Sequence, residues 1–235
     1  MTDQTYYQTR FSLDGIRRGA IRLLPVSIFV FPFGIAFGVA ALERGMTLDQ
    51  AMTMSLFMFA GASQFAALEL WSSPLPWISM ALVVLAVNAR HLILGAAMSP
   101  YVNTLSKGDW FFSLMLISDT NFADTYGAFK EGERDAGLIL GGGLMLWAVW
   151  AVGTLIGAVA GAAFGNLDRF GVDVVMAGFF AALVAGSVNR PRNLAPILAA
   201  CTVALATLPV LPTGWNIIAA SLAGGVVGAF YSERG

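Results

Sequence analysis

The chain has 235 residues, of which 57% are apolar by the count that includes Tyr and Cys and only 11% are charged. A soluble domain carries roughly 25% charged residues; here 13 basic and 14 acidic groups sit in short runs and cannot coat a water-facing surface. That balance excludes a soluble enzyme and a disordered chain. The lone Cys201 excludes a disulfide scaffold, and a net charge of −1 leaves no basic face for nucleic acid. The expected fold is all-α, a polytopic integral membrane protein with the lipid bilayer as its main solvent.

Eight apolar runs are legible, at residues 22–42, 50–71, 76–98, 110–129, 136–164, 172–188, 194–211 and 214–231. A helix needs about 20 residues to cross a ~30 Å hydrocarbon core, whereas barrel strands would alternate over ~10. The fifth run is long enough to need tilt or a break, and the sixth is short. Place the N-terminus in the cytoplasm and let the runs alternate. The inner side then receives Arg10, Arg17, Arg18, Arg22, Lys130, Arg134, Arg190, Arg192 and Arg234, and the outer side Arg44, Lys107 and Arg169. This positive-inside bias predicts about eight transmembrane helices, N-in and C-in. Residues 1–19 are read as a cytoplasmic N-terminal segment and 20–235 as a single transmembrane transport domain. Between Arg10 and Arg18, Phe11, Leu13 and Ile16 mix with basic groups. That pattern suits the inner interface as well as it suits a solvated terminus. No cleavable signal is expected, because the first apolar run is longer than a ~7–15-residue signal core.

The polar residues inside the runs carry the functional reading. In the first run, Pro32 and Gly34 sit near mid-bilayer, where proline removes a backbone donor. The second run has Gly61-Ala62-Ser63-Gln64 at a similar depth. Transporter sites are often built from interrupted helices at this level, with a packed proline kink as the plain alternative. The third run carries Asn88-Ala89-Arg90-His91 and the fourth Ser118-Asp119-Thr120-Asn121. An arginine in mid-span costs at least ~2.5 kcal/mol on insertion scales unless paired or hydrated. The four polar residues of the fourth run point to all quadrants at 100° per residue. That run is therefore enclosed by protein and water or interrupted there. Taken as antiparallel neighbours, the third and fourth runs bring Arg90 within reach of Asp119, as an ion pair or as joint partners of a substrate's charges. Asp124 and Glu69 read as solvated interface positions. His91 is the only histidine, too few for a histidine metal site; it serves either as a proton relay or as a hydrogen-bonded neighbour of Arg90.

In the fifth run Gly153, Gly157, Gly161 and Gly165 recur every four residues, a smooth ridge for close helix packing. Gly34 with Gly38 and Gly224 with Gly228 are shorter versions. No phosphate-binding Gly-x-x-x-x-Gly-Lys-Ser/Thr loop occurs, and no cofactor or metal is implied. A serine hydrolase built on Gly61-Ala62-Ser63 with His91 as base is opposed by Gln64, where a second glycine is needed, and by the depth difference between Ser63 and His91.

Pro32-Phe33-Gly34, Phe59-Ala60-Gly61-Ala62-Ser63-Gln64-Phe65, Asn88-Ala89-Arg90-His91 and the later Asp119 together resemble the AzlC-like family, large subunits of branched-chain amino acid exporters. The resemblance runs from about Gly15 to the last helix. It implies export of valine, leucine, isoleucine and methionine across the bacterial inner membrane, with a small AzlD-like membrane subunit as partner. One departure is Thr120-Asn121 after Asp119, where an acidic residue is expected next. The chemistry agrees. A zwitterion needs a cationic partner such as Arg90 or free backbone N–H groups, and an anionic or polar one such as Asp119, Asn88 or Gln64. Phe31, Phe33, Phe59 and Phe65 can line an apolar wall. The candidate substrate residues are thus Pro32, Gly34, Gly61, Ser63, Gln64, Asn88, Arg90, Asp119 and Asn121, with Asp119 and His91 for proton coupling in an antiporter. A channel-like permease for small polar solutes and a non-transporting scaffold subunit are the alternatives.

Overall fold

The computed structural model describes residues 6–164, 178, 181, 185, 193–211 and 215–232. The sixth run, 172–188, lies outside the described residues apart from three isolated positions. The described elements are all helical: α1 (Leu13–Glu43), α2 (Leu48–Phe57), α3 (Gly61–Glu69), α4 (Trp77–Asn88), α5 (Arg90–Val102), α6 (Lys107–Met115), α7 (Asp119–Lys130), α8 (Gly137–Phe164), α9 (Leu194–Thr207) and α10 (Trp215–Ser232). Among them, Leu13–Glu43, Trp77–Val102 and Gly137–Ala162 are long and apolar enough to cross a membrane. Ile28, Phe29, Leu85, Leu92, Ile93, Val152 and Ile156 on these spans are exposed, as lipid-facing side chains are.

The all-α membrane fold with interrupted helices is as predicted. The second run breaks at 58–60, the third at Ala89 and the fourth at 116–118. The first run does not break, since α1 continues through both Pro25 and Pro32. Local signals set the starts. Ser12 caps α1 by accepting from Gly15 N at 3.0 Å. Thr47 and Gln50 form a reciprocal capping box on α2. The chain packs as two units, residues 1–60 with 89–165 and residues 61–88 with 166–235.

The first unit is built on α1 against α8. Gly15 meets Asp135, Gly19 meets Leu138, Gly34 meets Trp150 and Gly153, and Gly38 meets Thr154, so the two helices run parallel. A Cβ on Gly157 would come within 2.0 Å of the Ile35 carbonyl, and one on Gly38 within 2.2 Å of the Thr154 carbonyl. At Gly153 and Gly157 the ridge expected in the fifth run is therefore used within this chain, against α1, while Gly165 lies outside the described residues. Ser27 is buried in α1 and bonds its own Leu24 carbonyl, while Ser55 of α2 bonds Thr154 at 2.9 Å.

One end of this unit is tied by charge. Asp135 is fully buried and accepts from Ser12 Oγ at 2.5 Å, Arg10 Nε at 3.0 Å, Gly137 N at 3.0 Å and Ser12 N at 3.2 Å. Arg18 bridges Asp14, Glu133 and Asp135. The segment before α1 is thus folded onto the loop between α7 and α8. Tyr7 also donates its N–H to Pro100 O at 2.9 Å, and Thr104 donates to Tyr7 O at 2.9 Å. The ends of α5, α7 and the N-terminal segment therefore share one face.

This corrects part of the predicted topology. Tyr101 packs on Phe129 at 4.8 Å, and Arg90 reaches Asp119, so α5 and α7 are parallel rather than antiparallel. Lys107 follows Thr104 by three residues, a reach of about 11 Å at most. Both ends of the α6–α7 segment accordingly lie on the N-terminal face, and 110–129 is a hairpin rather than a crossing. The predicted crossing at 110–129 is thereby lost within the first unit. Short half-helices mislead a count based on apolar length, because two of them with an apolar break read as one span. Lys107 moves to the face that holds Arg10, Lys130 and Arg134, which sharpens the charge bias.

In the second unit, every side chain of α3 from Ala62 to Leu68 is buried. Ala66 and Leu70 pack with Val83 of α4, and Ile217 and Ile218 of α10 join them. Pro196 and Ala200 of α9 lie against Gly224 of α10.

Three outcomes follow from the first unit. Gly157→Val should lower the melting temperature of the detergent-solubilised protein by several degrees, since overpacking costs about 1–3 kcal/mol. Gly95→Ala, where a Cβ meets nothing within 4 Å, should leave it unchanged or raise it. The hydrogen bond from Arg18 holds the Glu133 carboxyl below its usual range, against the opposing effect of burial. A lowered folded pKa adds stability above the unfolded value and loses it as pH falls through the folded one. Melting curves of Glu133→Gln should therefore show lower stability at neutral pH and a shallower loss below about pH 4.3.

Candidate functional site

The break in the fourth run is organised by α8. Three consecutive glycines face three different neighbours. A Cβ on Gly141 would strike the Ile16 carbonyl, one on Gly142 the Asn121 side chain, and one on Gly143 the Leu116 carbonyl. The bare α8 backbone lets the end of α6 and the start of α7 dock directly on it. Asn121, fully buried, gives its amide hydrogens to Ile139 O at 2.7 Å and Leu116 O at 3.5 Å, and its Oδ1 accepts from Thr125 at 3.3 Å. One side chain thus caps the frayed end of α6 and fixes α7 to α8. Its polar atoms are spent on the protein. Ser118 caps α7 by accepting from Asn121 N at 3.3 Å.

This scaffold presents Asp119 in the first turn of α7, where the helix dipole favours a carboxylate. Arg90 stands at the first position of α5, one helical residue after the end of α4. The two are joined, Arg90 Nη1 to Asp119 Oδ2 at 2.5 Å. They lie about 15–18 Å of helix above Phe129 and Val102, near mid-bilayer for a ~30 Å core. The N-terminus of α7, worth about +0.5 charge, and one guanidinium face one carboxylate, so the locus keeps a net positive field. Arg90 Nε is buried and has no hydrogen-bond partner among the described residues. The side chains are 33% and 48% exposed, so the pair is open to an incoming group. His91, next on α5, is half-buried.

The remaining candidates divide between the units. Gly34 is buried against α8 and acts as a packing residue, while Pro32 is exposed on the same helix. In the second unit Ser63 donates to Asn88 Oδ1 at 2.8 Å, tying the start of α3 to the end of α4. The Ser63 hydroxyl hydrogen is thereby committed, and Gln64 beside it is fully buried. Gly61 opens α3. Asp124 forms a two-pronged pair with Arg22, both contacts at 2.9 Å.

Sequence reasoning missed Asp135 and the Gly141-Gly142-Gly143 triplet. Asp135 sits between runs and looks like an ordinary loop carboxylate. The triplet breaks the four-residue period and was hidden by it, although three adjacent glycines in a membrane helix signal contacts on more than one side.

A family model described as AzlC protein matches residues 25–164. The chain is 32% identical over 219 residues to the inner membrane protein YgaZ of Escherichia coli, covering 87% of this chain and 84% of that one. It is 29% identical over 230 residues to an uncharacterized membrane protein of Archaeoglobus fulgidus, covering 92% and 95%. It is 26% identical over 200 residues to the branched-chain amino acid transport protein AzlC of Bacillus subtilis, covering 83% and 76%. No solved structure matches. The matched stretch contains α2 to α7, most of α1 and all of α8, including the three interrupted runs, Arg90 and Asp119, and the chain belongs to the AzlC family.

Proposed function

We propose that the protein is a secondary transporter that exports valine, leucine, isoleucine and methionine across the bacterial inner membrane, driven by proton antiport. The observation that carries this reading is the Arg90–Asp119 pair at the tips of two half-helices. A passive membrane scaffold has no use for a guanidinium held at a helix N-terminus in mid-bilayer. An amino acid carboxylate fits the buried Arg90 Nε and the positive field around it. As that carboxylate takes the guanidinium, Asp119 is released to receive the substrate ammonium or a proton. With no nucleotide-binding loop in the sequence, an ion gradient or the substrate gradient is left as the driving force, and the proton is the ion chosen here, with His91 as a second proton-handling group. Ser63, Gln64 and Asn88 are candidate contacts on the chemistry of their side chains. The printed name of the Bacillus relative supports the substrate class, and the inner-membrane name of the Escherichia relative supports the location. The charge bias, with Arg10, Arg18, Lys107, Lys130 and Arg134 on one face and Arg44 at the far end of α1, supports N-in orientation. The resemblance to exporter large subunits supports a small AzlD-like membrane protein as partner.

Counterflow of labelled leucine in vesicles, with and without the co-expressed small subunit, tests this. Arg90→Gln and Asp119→Asn should each lower counterflow by a factor of ~10 or more, since each strands a charge. The double variant should stay inactive; recovery of flux in it would make the pair structural. Export should stop when a protonophore collapses the gradient, and insensitivity would remove the proton from the mechanism.

A further inference from the structure

The segment before α1 does more than start a helix. Tyr7 stacks on Tyr101 with ring centroids 4.9 Å apart and planes within 7°. The Arg134 guanidinium lies 4.4 Å over the Tyr7 ring and 5.8 Å from that of Tyr101. Main-chain bonds run from Tyr7 N to Pro100 O, from Arg10 N to Arg134 O and from Ala136 N to Arg10 O. Residues 7–12 therefore grip the end of α5 on one side and the α7–α8 loop on the other. Beneath this strap, Met98, Tyr101, Val102, Ile117, Phe129, Ala136 and Ile139 form a dry plug. The plug fills the space between the N-terminal face and the level of Arg90 and Asp119. Arg10, by contrast, is 69% exposed while its partner Asp135 is buried. The outer rim of the clasp is thus wet, and its bonds can exchange with water.

We propose that residues 7–12 are a gate strap that latches the N-terminal face shut. While Tyr7 and Arg10 are seated, α5 is held against the α7–α8 loop and the plug stays closed. When they lift, α5 can part from α7 and open a path from that face to the Arg90–Asp119 level. The proposal rests on the transport reading only for what passes; the gate itself can be read without transport.

The test uses the full chain with the exposed Cys201 replaced by Ala and a reporter from Leu94→Cys, a half-buried plug neighbour on α5. Vesicles of both orientations are treated with a membrane-impermeant thiol reagent. Tyr7→Ala combined with Arg10→Ala should raise labelling from the N-terminal face about ten-fold, while Tyr7→Phe, which keeps the stack, should not. An unchanged rate in the double variant overturns the proposal, and so does a rise of equal size from both faces, which would mean general loosening. Absence of leucine counterflow in the chain with an intact strap, together with directional labelling in the double variant, would leave the gate standing and count against the transport reading alone.

Discussion

A positive charge held in the middle of a bilayer has to be answered by a negative one, and the fold is arranged around that answer. Arg90 opens α5 and Asp119 opens α7, and the pair forms because the two half-helices stand side by side in the same direction. A half-helix such as α7, which starts level with Arg90 and ends at the same face as α5, can arise only if the chain turns back inside the bilayer. The backbone groups freed by that turn then need partners, because lipid offers none. Asn121 and Ser118 provide them, and the glycine triplet of α8 gives the turn a place to dock. One electrostatic requirement thus accounts for an interrupted helix, a buried amide and three bare residues on a neighbouring span.

The scaffold that bears this load is the parallel pair α1 and α8. Small residues along both let the backbones approach to the point where a single added Cβ would collide with a carbonyl. Such packing supplies contact where the hydrophobic effect supplies none between membrane helices. At one end the pair is fastened by the buried Asp135, which collects two arginines, a hydroxyl and two backbone N–H groups. A buried carboxylate so fully bonded is costly to break, since removing one partner leaves the others uncompensated. The same fastening holds the N-terminal strap, so the rigid frame and the proposed gate share one anchor.

Much of this was legible in the residues. The helical class followed from apolar run length, and the break in the fourth run followed from four polar residues that no unbroken helix could hide. The meeting of Arg90 with Asp119 was also foreseen, though from a wrong geometry: antiparallel spans at matched depths rather than parallel half-helices. That error has a physical source. Apolar length cannot distinguish a crossing from two short helices and a turn, since both expose the same composition to lipid. Pro32 was misleading in the other direction, because tertiary packing along α8 keeps α1 continuous through a residue that disfavours helix. The roles of Asn121 and Asp135 depended on partners 18 and 123 residues away in sequence, which no local pattern reveals.

The parallel arrangement of α5 and α7, their ion pair and the shared face all stand or fall with the hairpin. The most direct measurement is sidedness of single cysteines at Arg44, Lys107 and Arg134 in the chain lacking Cys201, read with an impermeant thiol reagent in sealed vesicles. The expected result is that the cysteine at position 107 labels from the same side as that at 134, with position 44 on the opposite side. Labelling of position 107 together with position 44 would restore a full crossing between α5 and α8 and contradict the hairpin.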